Sequence, residues 1–587
     1  MTEQNTNYTT SLDSSLYAPE GQVYAPWLKS YDRGVSPTIN LIQEPLYYWL
    51  DQAAEKTPER IAIAFKNYKL TYRQTQQTVE IMAANLRANG IQPGDRVSIM
   101  LPNLPQTILA FWAVLKAGGV VVFTNPLYME TELVHQINDS EAKCMITADL
   151  IWPKVKDLRM RLGVKKYFVT SVADALNFPL NVLFKFKERK KDYGLVFDNK
   201  TVQPFTNLLR GTERLSVPVE TPDDTLACLQ YTGGTTGVPK GAMLTHSNFN
   251  ANIQQVTEAL AGILDHQHNF LAVLPLFHVY GLTTCLLLPA AVASTIYTLP
   301  RFNPIETMQT MEKYKITLFP GAPSVYVSLL QSKDITKYDL SSLELCISGS
   351  APMPVEYIKQ FEEKVGGRFV EGYGLTEASP ITNLSPLRGT LKPGSIGLPL
   401  PATMARIVDM ELGTIPLPPG QTGELIIKGQ QVMKGYWKRP DESANVLRNG
   451  WLYTGDIAVM DEDGYVFIVD RKKDMVIVGG YNVYPREVDE VLFSHPKVKE
   501  AVSVGIPHKT RGEILKAYIV LKPGETMTRQ ELIAFCRDKL ANYKIPKQVE
   551  FRDELPKSMV GKILRRTIRS EEEEKLKSGT DSGDIIE

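Results

Sequence analysis

The sequence predicts an α/β fold, with a large multi-subdomain N-terminal body and a small C-terminal α+β domain. Three observations predict it. Residues 94–124 read as strand, helix and strand with tight glycine punctuation, which is the βαβ unit of a parallel sheet. The strand pattern returns at Phe270–Leu274, Thr317–Phe319, Leu345–Ser348 and Phe369–Glu371. After the charged run Asp470-Arg471-Lys472-Lys473-Asp474 a shorter pattern of different type begins. At 587 residues the chain is also well past what one hydrophobic core supports.

In chain order, residues 1–40 are rich in Tyr, Pro, Ser and Asn and read as a loose arm. A helix is expected over Glu44–Glu55 and a strand over Arg60–Phe65. Gly94-Asp95 leads into the strand Val97–Met100, a helix follows over Pro105–Lys116, and Gly118-Gly119 ends it before the strand Val120–Phe123. These elements belong to a body spanning 41–470. The small domain, 471–570, carries expected helices at Pro485–Leu492 and Arg529–Leu540, with strands at Ala501–Gly505, Lys516–Leu521 and Val549–Phe551. The acidic run Glu571–Glu574 and the tail to Glu587 read as a disordered segment, 571–587.

Composition narrows the function. Lys+Arg and Asp+Glu both total 65, so the net charge is zero and the basic excess of a nucleic-acid-binding protein is absent. The five cysteines are scattered with no CxxC pair, which supports neither a zinc site nor a disulfide framework and fits a reducing cytoplasm. Met1–Ser15 is polar, unlike a signal peptide, and no apolar run reaches the ~20 residues that span a bilayer. Leu176–Lys191 is different: apolar residues precede the basic Lys185, Lys187, Arg189, Lys190 and Lys191. Such a segment suits loose contact with an anionic membrane face, against the plainer reading of a helix with a solvated basic end.

The chemistry concentrates in a few stretches. Tyr231-Thr232-Gly233-Gly234-Thr235-Thr236-Gly237-Val238-Pro239-Lys240 follows the apolar strand Leu226–Leu229 and precedes helical spacing over Asn248–Gly262. Its glycines allow sharp turns and bring N–H groups toward an anion, while the threonine hydroxyls and Lys240 add donors. It lacks the Gly-Lys-Ser/Thr triplet of the common nucleoside-triphosphate loop. Gly349-Ser350-Ala351 directly follows a strand, where a ligand meets the carboxyl edge of a sheet. In Glu371-Gly372-Tyr373-Gly374-Leu375-Thr376-Glu377 an aromatic ring, a hydroxyl and a carboxylate lie together, suited to a base, a phosphate and Mg²⁺. Asp456 could accept both hydroxyls of a ribose. The run Asp470–Asp474 and the stretch Pro556–Lys562 complete the set. Taken singly, each is an ordinary turn or solvated charge cluster. Their joint occurrence points to nucleotide chemistry.

These stretches resemble the adenylate-forming superfamily of acyl-CoA synthetases, luciferases and peptide-synthetase adenylation domains. Within it, Asn449–Asp456 continuing to Asp470–Met475 is similar to the signature region of bacterial long-chain fatty acid–CoA ligases. The resemblance runs from about residue 44 to 566. It implies the adenylate-forming fold with a mobile C-terminal domain, and it implies ATP, Mg²⁺ and coenzyme A. Thr232–Lys240 would wrap the β- and γ-phosphates. Gly349, Ser350, Ala351 and Tyr373, with Glu371 and Gly372 beside them, would form the adenine site. Thr376 would meet the α-phosphate, Glu377 would hold Mg²⁺, and Asp456 and Arg471 the ribose. Lys473 matches the hinge position, Lys562 the lysine of the last motif, and Gly479-Gly480-Tyr481 the pantetheine loop. His278, in an apolar stretch that alone suggests a packed core residue, matches a motif beside the acyl carboxylate. His266 and His268 read as a surface pair and not a metal site. The activity implied is ATP-dependent formation of a fatty acyl-adenylate followed by transfer to CoA. The alternatives are a CoA ligase for medium-chain or aryl acids on the same scaffold and a non-catalytic nucleotide-binding regulator.

Overall fold

The computed structural model describes residues 25–188, 193–215, 224–232, 239–478, 481–508, 512–558 and 561–578. The chain divides into two compact units: Met1–Met404 with Ile427–Leu452, and Ala405–Ile426 with Tyr453–Glu587.

In the first unit, the βαβ pattern of residues 94–124 builds the middle of a seven-stranded sheet. Strand Arg96–Met100, helix Pro105–Lys116 and strand Val120–Phe123 form where the glycine punctuation places them. Every residue of that helix is buried, and the two strands pair in parallel. The sheet order is Val202–Pro204, Lys166–Thr170, Cys144–Ala148, Arg96–Met100, Val120–Phe123, Leu226–Thr232, Lys240–Thr245. Its last pair is antiparallel, with Thr232 opposite Lys240. A second sheet of nine strands runs Leu398–Pro399, Ile381–Leu384, Arg368–Gly374, Leu345–Ser348, Leu318–Gly321, Asn269–Ala272, Thr295–Thr298, Ile61–Phe65, Tyr68–Thr71. Its central strands are parallel, so their carboxyl ends open along one edge.

The second unit holds a five-stranded sheet in which Gly512–Leu521 lies between Val476–Val478 and Val498–His508 and also pairs in parallel with Gln548–Phe551. Helices Pro485–Phe493 and Arg529–Arg537 supply the apolar residues Val488, Leu492, Leu532 and Ile533 to its core. Strand Val466–Arg471 pairs antiparallel with Trp451–Met460.

Three expectations change. Residues 25–40, read as a loose arm, are tied down: Trp27 is buried, the Tyr31 hydroxyl donates to the Pro399 carbonyl at 2.8 Å, and the Ser36 N–H donates to Glu258 at 2.6 Å. Glu571–Glu574, read as the start of a disordered tail, lies in the helix Arg565–Ser578. There Glu572 is buried and pairs with Lys516 at 2.8 Å, so an acidic run that looks solvated in sequence is held by a partner 56 residues away. Between the glycine-threonine loop and its helix the structure inserts a strand, Lys240–Thr245, and the helix begins at His246. All five cysteines are buried as free thiols. No described helix is long and apolar enough to cross a membrane.

Candidate active site

Thr232 and Lys240 close the base of the glycine-threonine loop as cross-strand partners. The loop residues Gly233, Gly234, Thr235, Thr236 and Gly237 lie outside the described residues, as do Gly479 and Gly480. Lys240 pairs with Glu442, and its ammonium stands 5.4 Å from the centre of the Tyr436 ring. The Tyr436 hydroxyl donates to Glu377 at 2.7 Å. Burial pulls the Lys240 amine below its ordinary range, with the Glu377 carboxylate working against it. Burial, reinforced by Glu377, raises Tyr436 well above the ordinary phenol range, so it stays a donor.

The arrangement is built from backbone pairing and a row of amides. Residues 433–437 run beside strand Lys240–Thr245. Met243 N–H donates to the Gly435 carbonyl at 2.8 Å, and Trp437 N–H donates to that of Gly241 at 2.8 Å. Met433 N–H then donates to the Glu377 carbonyl at 2.8 Å. Thr245 caps helix His246–Ala259 in a capping box with Asn248. Asn248, Asn252 and Gln255 follow at helical spacing on one buried face. Asn248 Nδ2 donates to the carbonyls of Gln430 and Val432 at 2.8 Å each. Asn252 exchanges two hydrogen bonds with the backbone of Ile381, and Gln255 donates to Gln431 at 3.0 Å. One helix therefore fixes both segments that bring Tyr436 to Glu377.

At the carboxyl edge of the nine-stranded sheet, Ser348 lies opposite Glu371. Gly349 follows, and a Cβ there would stand 2.9 Å from the Tyr280 ring, too close for any side chain. Ser350 adopts φ of 75°, the left-handed region. Ala351 continues the turn, which Glu371 closes by accepting the Met353 N–H at 3.0 Å. Tyr280 donates to the carbonyls of Ile347 and Gly321, tying two strand ends together. Gly372 and the half-buried Tyr373 complete the strand Arg368–Gly374, and Thr376 and Glu377 open a short 3₁₀ turn. His278 caps helix Val279–Leu282, its Nδ1 accepting the Tyr280 N–H at 3.3 Å. A neutral ring so bonded carries its proton on Nε2.

In the second unit, Asp456 and Arg471 are cross-strand partners, with the guanidinium 3.2 Å from the carboxylate. Lys473 follows in a turn, where burial and then the Arg471 charge push its amine down. Ser558 holds Lys562 from both sides: Ser558 N–H donates to the Lys562 carbonyl at 2.8 Å, and Lys562 N–H donates to Ser558 Oγ at 3.2 Å. Burial pushes the Lys562 amine down to about 7, and Arg471 and Lys473 add to the effect while Asp456 opposes it. Tyr481 is exposed and stacks on Tyr543 with ring centres 4.7 Å apart.

The structure thus links Lys240 to Glu377 through Tyr436 in one unit, and in the other brings Lys562 within electrostatic reach of Asp456, Arg471 and Lys473. Sequence reasoning missed Tyr436 and Glu442. The run Gly435-Tyr436-Trp437, bulky rings after a glycine, was the available signal. His268 differs from expectation. It is buried, with Nε2 2.6 Å from the Ile263 carbonyl and Nδ1 3.0 Å from the Thr317 hydroxyl. Ligand atoms of His266, His268 and Glu344 come within 4.8 Å of one another, yet both His268 nitrogens are engaged in these bonds.

A family model described as AMP-binding enzyme matches residues 50–437, and one described as AMP-binding enzyme C-terminal domain matches residues 487–562. The chain belongs to the AMP-binding enzyme family. This AMP-binding enzyme is 46% identical over 556 residues to a long-chain-fatty-acid–CoA ligase of Bacillus subtilis strain 168, covering 94% of this chain and 99% of the relative. It is 40% identical to the ligase of the same name from Escherichia coli O6:H1, over 93% of this chain and 98% of that one. A feruloyl-CoA synthase of Amycolatopsis matches at 34% identity over 89% of this chain and 98% of its own. Among solved structures, ATP-bound MatB from Rhodopseudomonas palustris superposes with a TM-score of 0.79 at 29% identity, covering 90% of this AMP-binding enzyme and 99% of MatB.

Proposed function

We propose that this chain activates long-chain fatty acids, forming an acyl-adenylate and pyrophosphate from ATP and then an acyl-CoA and AMP. The observation that carries this reading is near-full-length similarity, at 46% identity, to a relative named long-chain-fatty-acid–CoA ligase. The solved relative with bound ATP supports the choice of nucleotide. In the first half-reaction a carboxylate oxygen bonds to the α-phosphorus, and the bond from that phosphorus to the bridging oxygen breaks, so pyrophosphate leaves with the electron pair. The two reactants repel as anions, and fixed cations and donors lower that barrier. In our reading Thr232–Lys240 bind the leaving phosphates, Thr376 and Lys562 meet the α-phosphate, and Gly349–Ala351 with Tyr373 seat the base. Asp456 and Arg471 hold the ribose, and the His278 Nε2–H suits the acyl carboxylate. In the second half-reaction the CoA sulfur bonds to the acyl carbon, the thiol proton passes to water, and the bond from that carbon to the phosphate oxygen breaks, so AMP departs with the electron pair; in our reading Tyr481, with Gly479 and Gly480, lines the thiol's path.

The donor set around Glu377 fits Mg²⁺, which takes hard oxygen ligands, often one carboxylate together with substrate phosphates. Glu377 would hold the ion, which when bound neutralises phosphate charge. Tyr436 occupies Glu377 Oε1 at 2.7 Å and so orients the other carboxylate oxygen. Tyr436→Phe is expected to weaken Mg²⁺ by about 10–100-fold, read by titrating the metal against ATP-induced fluorescence as well as turnover. Unchanged Mg²⁺ affinity would separate Tyr436 from the ion.

The deciding experiment is ATP–pyrophosphate exchange with a panel of acids. Exchange driven by C12–C18 acids supports the reading. Exchange driven by hydroxycinnamic or medium-chain acids alone would replace it with the second reading, which the Amycolatopsis relative favours.

We further propose peripheral contact with an anionic membrane face. Helix Leu180–Glu188 leaves Leu183 and Phe186 exposed beside Lys185 and Lys187, and Phe178 is exposed just before it. A cavity of about 600 Å³, lined by Val169, Val182, Phe186, Leu195 and Phe197, lies alongside. Arg189, Lys190 and Lys191 lie outside the described residues. Reversing Lys185 and Lys187 to Glu is expected to weaken binding to phosphatidylserine vesicles at least tenfold, each basic group contributing ~1 kcal/mol near the surface. Wild-type protein that ignores such vesicles at low salt would end the idea.

A further inference from the structure

Lys562 sits in a turn with two charged feet. At one foot Lys557 donates to Glu500 at 2.6 Å, with Lys557 and Ile563 forming an isolated bridge. At the other the chain enters its last helix through Arg565, three residues after Lys562. The Arg565 guanidinium pairs with Asp489 on helix Pro485–Phe493 and lies 3.9 Å from Asp470. Both carboxylates are committed on other sides as well. Asp489 accepts the Ser503 N–H and hydroxyl at 2.6 Å each. Asp470 accepts the Arg486 N–H at 2.8 Å and the Arg471 N–H at 2.7 Å.

Asp470 adjoins Arg471, the partner of Asp456. Through Arg565, then, the turn that carries Lys562 is joined to the segment that carries the proposed ribose pair. The connection is reinforced one helical turn on, where Arg569 lies 3.9 Å from Asp474 and donates to the Lys473 carbonyl at 3.4 Å. As a purely stabilising device the clamp is poor. The Asp470 side chain is only 1% exposed, and Arg565 Nε is buried with no partner among the described residues. Buried ion pairs are commonly matched or bettered in stability by apolar side chains of the same volume. A costly guanidinium three residues from a reactive lysine is better explained by where it holds that lysine.

We propose that Arg565 is a positioning residue for Lys562: it clamps the lysine's turn to Asp489 and Asp470 and thereby registers the ammonium against Asp456 and Arg471. The inference rests on the reading of Lys562 as the adenylating lysine. Arg565→Gln is expected to slow acyl-adenylate formation by about 10–100-fold, the effect of displacing a catalytic group by about 1 Å, while KM for ATP stays within about twofold. Thioester formation from a supplied acyl-adenylate is expected to stay within about threefold of wild type, since it does not use the lysine. Arg565→Lys, which keeps the charge and loses the fork, and Asp489→Asn are expected to give the same asymmetry at smaller size. These two also cover the case in which Arg565→Gln fails to fold. Symmetric loss in both half-reactions, or none, across the variants that fold overturns the inference. Lys562→Ala is run beside them. If it retains adenylation, the reading of Lys562 falls and the inference with it. If it loses adenylation while the Arg565 variants keep it, only the inference falls.

Discussion

Lys562→Ala is expected to slow acyl-adenylate formation by at least ~10²–10³-fold, the cost of removing one preorganised charge-stabilising donor. Thioester formation from a supplied acyl-adenylate is expected to survive, because that step attacks the acyl carbon and makes or breaks no bond to phosphorus. Equal loss in both half-reactions would contradict the role. The same lysine predicts a pH profile. Burial lowers its amine to about 7, so in the nucleotide-free protein its charge is complete below that pH and disappears above it. kcat/KM for ATP reports groups of the free enzyme and is therefore expected to decline as pH rises through about 7. Stability moves the opposite way. Between about 7 and about 10.4, the ordinary lysine value, the unfolded chain binds the extra proton, so this residue's penalty on folding is full below about 7 and fades as pH rises to about 10.4.

Lys473→Pro is expected to divide the two half-reactions. We propose that the two domains rotate against one another between steps, pivoting at Asp470–Lys473. The proposed role of Lys562 motivates it: a lysine that serves the phosphates in the first step would obstruct the thiol in the second. Proline fixes φ near −65° and disfavours helical geometry at Lys472 before it. A pivot so restricted holds one arrangement, so one half-reaction is expected to persist at close to its normal rate while the other falls by at least tenfold, as gating mutants do. Single-turnover rates for each half-reaction decide it. Wild-type rates in both would place the pivot elsewhere, and circular dichroism with a melting curve separates restriction from misfolding.

What the sequence made legible was local. Strand Leu345–Ser348 and helix Pro105–Lys116 fall where apolar runs and glycine pairs mark them. Strand Lys240–Thr245 was not legible, because it opens on Pro239-Lys240 and alternates too briefly to stand out from a loop. The contact of Tyr436 with Glu377 joins residues 59 apart through two backbone segments and one buried helix face, and no local pattern encodes that. Helix Arg565–Ser578 was hidden for the same reason. Its acidic run looks like a solvated tail until Lys516, Arg552 and Lys575 are seen to meet it. The clamp at Arg565 was equally silent, since Asp470 and Asp489 lie far back in the chain.

The burial of all five cysteines has a consequence for chemical selectivity. An activated acyl group is an electrophile that any nearby thiolate can capture. Cys144, Cys228 and Cys285 are each pushed up to about 12 by burial, Cys536 to about 11, and Cys346 is raised by burial as well, so at neutral pH none supplies a thiolate. The protein therefore offers its mixed anhydride no sulfur nucleophile of its own. It is spared self-acylation and mixed disulfides with the acceptor, and the incoming cosubstrate is the one thiol that competes for the acyl carbon.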